Sequence, residues 1–199
     1  MDTPHPDLPR ILEFILEIDR LKHVARKIRL RGSERYENAA EHSWQIALLA
    51  ISLAPHAAAP VDLARVVAML LVHDLGEIDT GDTMFFVEGG WEERKAAERA
   101  AVSRITGLLP DDRATALFAL WAEFDEEVTA EARFANAVDR AMPVILNLAN
   151  GGQSWRDNGI SYERVASRVA PQIRAGCPSL WAYLSAELAR ARDAGWFGA

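Results

Sequence analysis

Three places in this sequence put charged or imidazole groups where the surroundings are strongly apolar. His42 lies in Glu41-His42-Ser43-Trp44, just before a run through Ile46, Leu48, Leu49 and Leu53. His73-Asp74 closes Val66-Val67-Ala68-Met69-Leu70-Leu71-Val72, the most hydrophobic stretch of the chain. Asp139 falls in Asn136-Ala137-Val138-Asp139-Arg140-Ala141-Met142, on a segment otherwise suited to a core. A lone buried charge is costly unless it is paired or bound to a metal. Helix neighbours are turned about 100° apart, so His73 and Asp74 straddle one face and can approach one ion from two sides. Two ligands from other helices would complete a shell of two His and two Asp, which suits one borderline divalent ion: Mn, Co, Fe or Zn.

Each residue alone has a plainer reading. His42 reads as an ordinary part-buried histidine, Asp139 as a partner of Arg140 or another cation, and His-Asp as a chance dipeptide. The specific signal is the order: His, then His-Asp at the end of an apolar helix, then Asp on a later helix. Glu77, Asp79, Thr80 and Asp82 follow the His-Asp pair, with Gly76 and Gly81 among them, and read as a helix end turning into a loop. Glu77, at the mouth of an apolar helix end, suits acid-base work if burial raises its pKa; a solvated loop acid is the alternative.

The elements that must hold these groups follow a helical period throughout. Leu8, Ile11, Leu12, Ile15, Leu16, Leu21 and Val24 mark a first helix with one buried face. A basic, glycine-containing stretch follows. The second helix starts near Ala39 and stops at Pro55. Pro60 and Asp62 open a third, apolar all round and therefore central. Trp91 to Leu108 and Pro110 to Phe124 give two more. Thr129 is the N-cap of the helix carrying Asp139, with Glu131 in its first turn. Pro143 should kink that helix, and Asn150-Gly151-Gly152 should end it. Ser161–Ile173 and Ser179–Arg192 close the chain. No segment alternates with a two-residue period between hairpin turns, so the fold class is all-α.

The chain has 199 residues, half of them hydrophobic, which suits one compact unit. Its net charge of -7 disfavours non-specific binding to nucleic acid polymers. A small phosphorylated substrate needs only a local cation cluster, and Lys22, Arg26, Lys27, Arg29, Arg31 and Arg35 form a basic stretch. A solvated face is the expectation for most of the six. Trp44 and Trp155 could stack on a base, although core packing is the simpler role for any one tryptophan. The lone Cys177 permits no intrachain disulfide and reads as structural or incidental. Met1-Asp2-Thr3-Pro4-His5-Pro6 lacks a secretion-signal pattern and no apolar run is long enough to span a bilayer, so the expectation is a cytoplasmic protein without a membrane partner.

The order H, HD, D resembles the HD superfamily of metal-dependent phosphohydrolases, and most closely its 5′-deoxynucleotidase branch. The matching stretches are Leu21-Lys22 with Arg26, then Glu37-Asn38-Ala39-Ala40-Glu41-His42-Ser43, His73-Asp74-Leu75-Gly76-Glu77, Thr80-Gly81-Asp82 and Asp139-Arg140. The resemblance implies a single HD-type helical bundle over 1–199, with a metal-site core over about 36–145 and closing helices over about 160–193. It implies one divalent ion on His42, His73, Asp74 and Asp139. It implies Glu77 as the residue that positions or activates the attacking water, Asp82 near the nucleotide, and Arg26 on the phosphate. The family often forms homodimers, and no residue pattern here bears on that. Two departures touch sugar selectivity: Lys27 replaces the branch's tryptophan after the arginine, and the Arg26 to His42 spacing is one residue longer. Asn147-Leu148-Ala149-Asn150-Gly151-Gly152-Gln153-Ser154-Trp155-Arg156 resembles a different HD subgroup. The leading reading is release of phosphate from a (deoxy)nucleoside 5′-monophosphate or a similar small phosphoester. The alternatives are a di-iron oxygenase, which would need ligands beyond the motif that His5, His23 and His56 do not supply, and a non-catalytic metal-binding helical interaction protein.

Overall fold

The computed structural model describes residues 5–83 and 90–198. Residues Met1–Pro4, part of the N-terminal segment read above, lie outside the described residues. The chain runs α1 (Leu8–Ile18), a 3-10 turn (Asp19–His23), β1 (Ala25–Arg29), β2 (Tyr36–Asn38), α2 (Ala39–Leu53), α3 (Leu63–Val72) and α4 (Glu77–Thr80). It continues through α5 (Trp91–Thr106), α6 (Asp111–Glu126), α7 (Ala130–Ala149), α8 (Gln153–Asp157), α9 (Tyr162–Gly176) and α10 (Pro178–Asp193). The all-α class holds, with one addition. The basic stretch is a small antiparallel hairpin that pairs Ala25 with Asn38 and Arg29 with Tyr36.

Side-chain caps start the helices that matter. Asn38 accepts from Glu41 N at 2.9 Å while the Glu41 carboxylate accepts from Asn38 N at 3.1 Å, a reciprocal box that opens α2. Asp62 accepts from Ala64 N and Arg65 N at the head of α3. Thr129 Oγ1 accepts from Ala132 N at 3.1 Å at the head of α7, as the sequence predicts. α7 carries Pro143 inside it and does not end there. It ends where Gly151 and Gly152 adopt left-handed φ of 62° and 73°. A Cβ at Gly152 would also meet the Trp196 carbonyl oxygen at 2.1 Å, so this corner requires glycine on two counts.

α7 is the central element: α2, α3 and α6 pack on one side of it, and α9 and α10 on the other. Ile46, Val66, Met69, Leu70, Phe134 and Val138 fill the first interface. Val144, Trp155, Val165, Ile173 and Leu184 fill the second. Truncating one of these, Met69→Ala for example, would cost about 2–5 kcal/mol. A third cluster around Val72, Ile105 and Trp121 ties α3 to α5 and α6.

Two expectations about burial are corrected. On α1 only Phe14 is buried, while Leu8, Leu12, Ile15 and Leu16 are 49%, 60%, 51% and 74% exposed. The helix turns Phe14, with Ile11 and Ile18, toward the α3/α5/α6 cluster and leaves the rest of its apolar stripe outward. α3 is apolar all round but not buried all round: Leu71 is half exposed, because neighbours cover the side of Val66, Met69, Leu70 and Val72. Among the described residues no helix is long and apolar enough to cross a membrane.

Candidate metal centre

His42 follows the Asn38–Glu41 box in the first turn of α2 and is fully buried. His73 is the residue on which α3 ends. Its freed carbonyl accepts from Trp121 Nε1 at 3.1 Å, which fixes the turn that swings Asp74 inward. Asp139 lies near the middle of α7 and is buried. The three elements bring one nitrogen of His42, one of His73 and one Asp139 oxygen to within 4.8 Å of one another. His42 Nε2 is 2.9 Å from Asp139 Oδ1, and His73 Nε2 is 3.6 Å from the same oxygen. Asp74 Oδ1 is 2.9 Å from His73 Nε2. His42, His73 and Asp139 therefore form one buried knot, and Asp74 touches it through His73 without belonging to the set of three.

The donor chemistry suits a divalent cation. His73 Nδ1 faces the Leu70 carbonyl at 2.9 Å and, as Nδ1–H, donates to it, which leaves Nε2 as the atom turned toward the two carboxylates. His73 Nε2 is buried and has no hydrogen-bond partner of its own. Two imidazole nitrogens and carboxylate oxygens around such an orphaned atom form a set that a borderline divalent ion satisfies. Among the described residues this is the one cluster of three or more such groups.

Charge in the knot is finely divided. Burial pushes the Asp139 carboxyl up, but Arg140, His42 and His73 outweigh it and hold it well below the usual carboxylate range. Burial acts likewise on Asp74, and His73 with Arg26 brings it down to about 2. Burial lowers His73, yet Asp74 and Asp139 raise it to about 10. Glu77 goes the other way: burial and then the Asp74 charge push it up to about 9. Asp82 is also raised, chiefly by burial.

A cavity of about 220 Å³ opens beside the knot, and Arg26, Glu77 and Asp82 line it together with His73, Asp74 and Asp139. Glu77 Oε2 is buried there without a hydrogen-bond partner, and Glu77 heads the short helix α4 instead of lying in a loop. Arg26 Nη1 reaches Asp74 Oδ2 at 2.8 Å and Asp82 Oδ1 at 3.8 Å. Of the other basic residues, Lys22 pairs with Asp19, Arg29 with Glu34, and Arg35 with Glu41 at 2.8 Å, as expected of a surface set. Trp44 is 61% exposed and lies away from the cavity. Trp155 lines the cavity, with its ring stacked on Phe197 at 4.5 Å.

The Asn147–Arg156 segment bends from α7 into α8 and clamps the hairpin. Asn150 Nδ2 donates to the Arg29 carbonyl at 3.0 Å, and Ser154 Oγ donates to the Lys27 carbonyl at 2.9 Å. These bonds tie it to the strand that carries Arg26. Sequence reasoning missed two features of the site. Glu37, quoted within the motif and given no role, is completely buried against His42 and Arg26. Trp91, Lys95 and Glu98 on α5 form part of the cavity wall; nothing in their charged, amphipathic stretch distinguishes them from a solvated face.

A family model described as an HD domain matches residues 18–181. The 5′-deoxynucleotidase HDDC2 of Xenopus laevis is 29% identical over 136 residues, 68% of this chain and 66% of that protein. Its human counterpart is 29% identical over 136 residues, 68% of this chain and 65% of that protein. The matched region thus spans just under two thirds of the length of these relatives. The crystal structure of a protein described as a "predicted metal-dependent phosphohydrolase" from Magnetospirillum magnetotacticum MS-1 superposes with a TM-score of 0.93 at 40% identity, covering 100% of this chain and 99% of that one.

Proposed function

The chain belongs to the HD-domain family of metal-dependent phosphohydrolases, and from that premise we propose that it releases phosphate from a (deoxy)nucleoside 5′-monophosphate. One divalent ion on His42, His73, Asp74 and Asp139 is the cofactor of this reading. The observation that carries it is the buried convergence of His42, His73 and Asp139 on a cavity that also holds Arg26, Glu77 and Asp82. The name 5′-deoxynucleotidase, borne by the similar HDDC2 proteins, supplies the substrate class.

His42, His73, Asp74 and Asp139 would hold a divalent ion, which would supply Lewis acidity to a water and to the phosphoryl oxygens. Arg26 presents its guanidinium beside the knot, where it receives the remaining phosphate oxygens in a charge-assisted fork. Glu77 holds a proton at its carboxylate at neutral pH in the metal-free protein. With an ion held by His42, His73, Asp74 and Asp139, the Glu77 carboxylate would be placed to take the proton of the attacking water. Asp82, on the same wall, orients the nucleotide and holds Arg26 in place. Beyond the charged end, Val144, Trp155 and Val169 line the cavity, with the side chains of Asn147 and Ser154 among them. A mainly apolar wall with a few polar groups suits a nucleoside better than a polyanion.

The test is phosphate release from a panel of ribo- and deoxyribonucleoside 5′-monophosphates with Mn, Co and Zn. Release that is lost on chelation and restored by one of these ions is the expected result. No release from any monophosphate with any of the three would refute the reading.

A further inference from the structure

The residue the proposed chemistry has not used is Glu37. It is the last residue but one of β2, its side chain has no exposure, and neither carboxylate oxygen has a hydrogen-bond partner. A carboxylate in that condition is among the costlier groups a core can hold. Its surroundings are specific. Oε1 lies 3.4 Å from His42 Nδ1 and 3.4 Å from Arg26 Nε. Both of those nitrogens are themselves buried without hydrogen-bond partners. Four unsatisfied polar atoms therefore lie together, with Oε1 the one acceptor that both nitrogens approach.

The two histidines of the knot clarify what Glu37 does. His73 places Nδ1 at 2.9 Å from the Leu70 carbonyl, which sets its tautomer with a neutral acceptor on its own helix. His42 has no such carbonyl. Its Nε2 faces Asp139 at 2.9 Å, and the group facing Nδ1 is Glu37. For Nε2 to offer a lone pair to a cation, the proton must reside on Nδ1 and needs an acceptor there. We propose that Glu37 is that acceptor, a positioning residue that fixes the His42 ring and tautomer from behind, with the Arg26 guanidinium beside the same carboxylate oxygen. Acceptors behind metal-binding histidines commonly act in this way, and their loss typically costs about 10–100-fold in metal affinity. The proposal rests on the metal-site reading above and adds a residue to it.

The experiment measures metal affinity and the His42 ring directly, without turnover. Metal-free parent, Glu37→Gln and Glu37→Ala are titrated with Co²⁺ against a competing chelator, following the visible absorption of the bound ion. The Zn²⁺-loaded proteins are then examined by ¹⁵N-labelled histidine NMR. The expected result is Co²⁺ affinity weakened about 10–100-fold in Glu37→Ala and less in Glu37→Gln, which keeps an acceptor oxygen. The parent should show a His42 Nδ1–H signal protected from exchange and strongly deshielded, moved upfield in Glu37→Gln; a residue that only packs would not move it. If Glu37→Ala does not fold, the Gln variant carries the test alone. Affinity within twofold of the parent in the folded variants, with an unmoved Nδ1–H signal, would overturn this proposal and leave the functional reading standing. A parent that takes up no ion would overturn both.

Discussion

Asp74 and Asp139 share one cavity wall with Glu77 and Asp82, and burial pushes all four carboxyls up, yet the outcomes are opposite. The first pair is held ionised because His73, Arg26, Arg140 and His42 stand close to it; Arg26 Nη1 is 2.8 Å from Asp74 but 3.8 Å from Asp82. The second pair has burial and the neighbouring Asp74 charge against it and too little cationic help. Acids of one type on one wall are thereby divided into anions ready to hold a cation and carboxyls able to trade a proton. Neighbouring charge, more than burial, makes the division.

The largest effect should come from removing one of the permanent anions. Asp139→Ala is expected to lower metal affinity by more than the about 100-fold that loss of an outer partner costs, while helical content by circular dichroism stays near the parent's. Elemental analysis that finds a full equivalent of ion in this variant would erase the distinction between the two pairs.

The proton-trading pair is probed by Glu77→Gln. Metal content should be retained while kcat falls by about 10²–10⁴-fold, with kcat/KM falling in step. Loss of the ion would move Glu77 into the ligand set; unchanged turnover would make it a bystander.

The division also sets how the metal-free protein responds to pH. His73 keeps its proton up to about 10 against an ordinary 6.5, and Glu77 up to about 9 against 4.5. Both bind more protons folded than unfolded. Their contribution to stability is therefore complete below the unfolded values and lost as pH rises through the folded ones. Asp74, brought down to about 2, works oppositely, and its contribution disappears only as pH falls from 3.8 through that value. Thermal unfolding in excess chelator should show Tm falling between about pH 6.5 and 9, with a shallower fall in Glu77→Gln. A Tm that rises across that interval would contradict the assignment.

The smallest effect concerns Arg26, which the comparison places between the two pairs. Arg26→Ala removes a charge-assisted contact, so KM for a monophosphate should rise about tenfold. A KM equal to the parent's would confine Arg26 to balancing Asp74 and Glu37.

The sequence revealed the helices and the knot far better than it revealed the hairpin. His42, His73 and Asp139 stood out because each interrupts an apolar run, and a polar group there has to find a partner inside. The Thr129 cap and the Gly151-Gly152 stop were legible because each satisfies a local backbone requirement. The hairpin was not: strands of five and three residues, Ala25–Arg29 and Tyr36–Asn38, are too short to show alternation, and their charges read as a solvated loop. Glu37 was hidden with it, because its burial is created by the hairpin folding over α2. The α1 stripe misled in the opposite sense, since periodicity shows that a face is apolar and not whether another element covers it.

In the proposed reaction, phosphate release depends on one divalent ion held by His42, His73, Asp74 and Asp139. The test is chelator-treated protein titrated with Co²⁺ in the presence of a deoxynucleoside 5′-monophosphate, with the ion's absorption and phosphate release followed together. Both signals should rise in parallel and level off at one equivalent. Phosphate release that survives chelation, or an ion bound at one equivalent with no release from any monophosphate, would contradict this dependence.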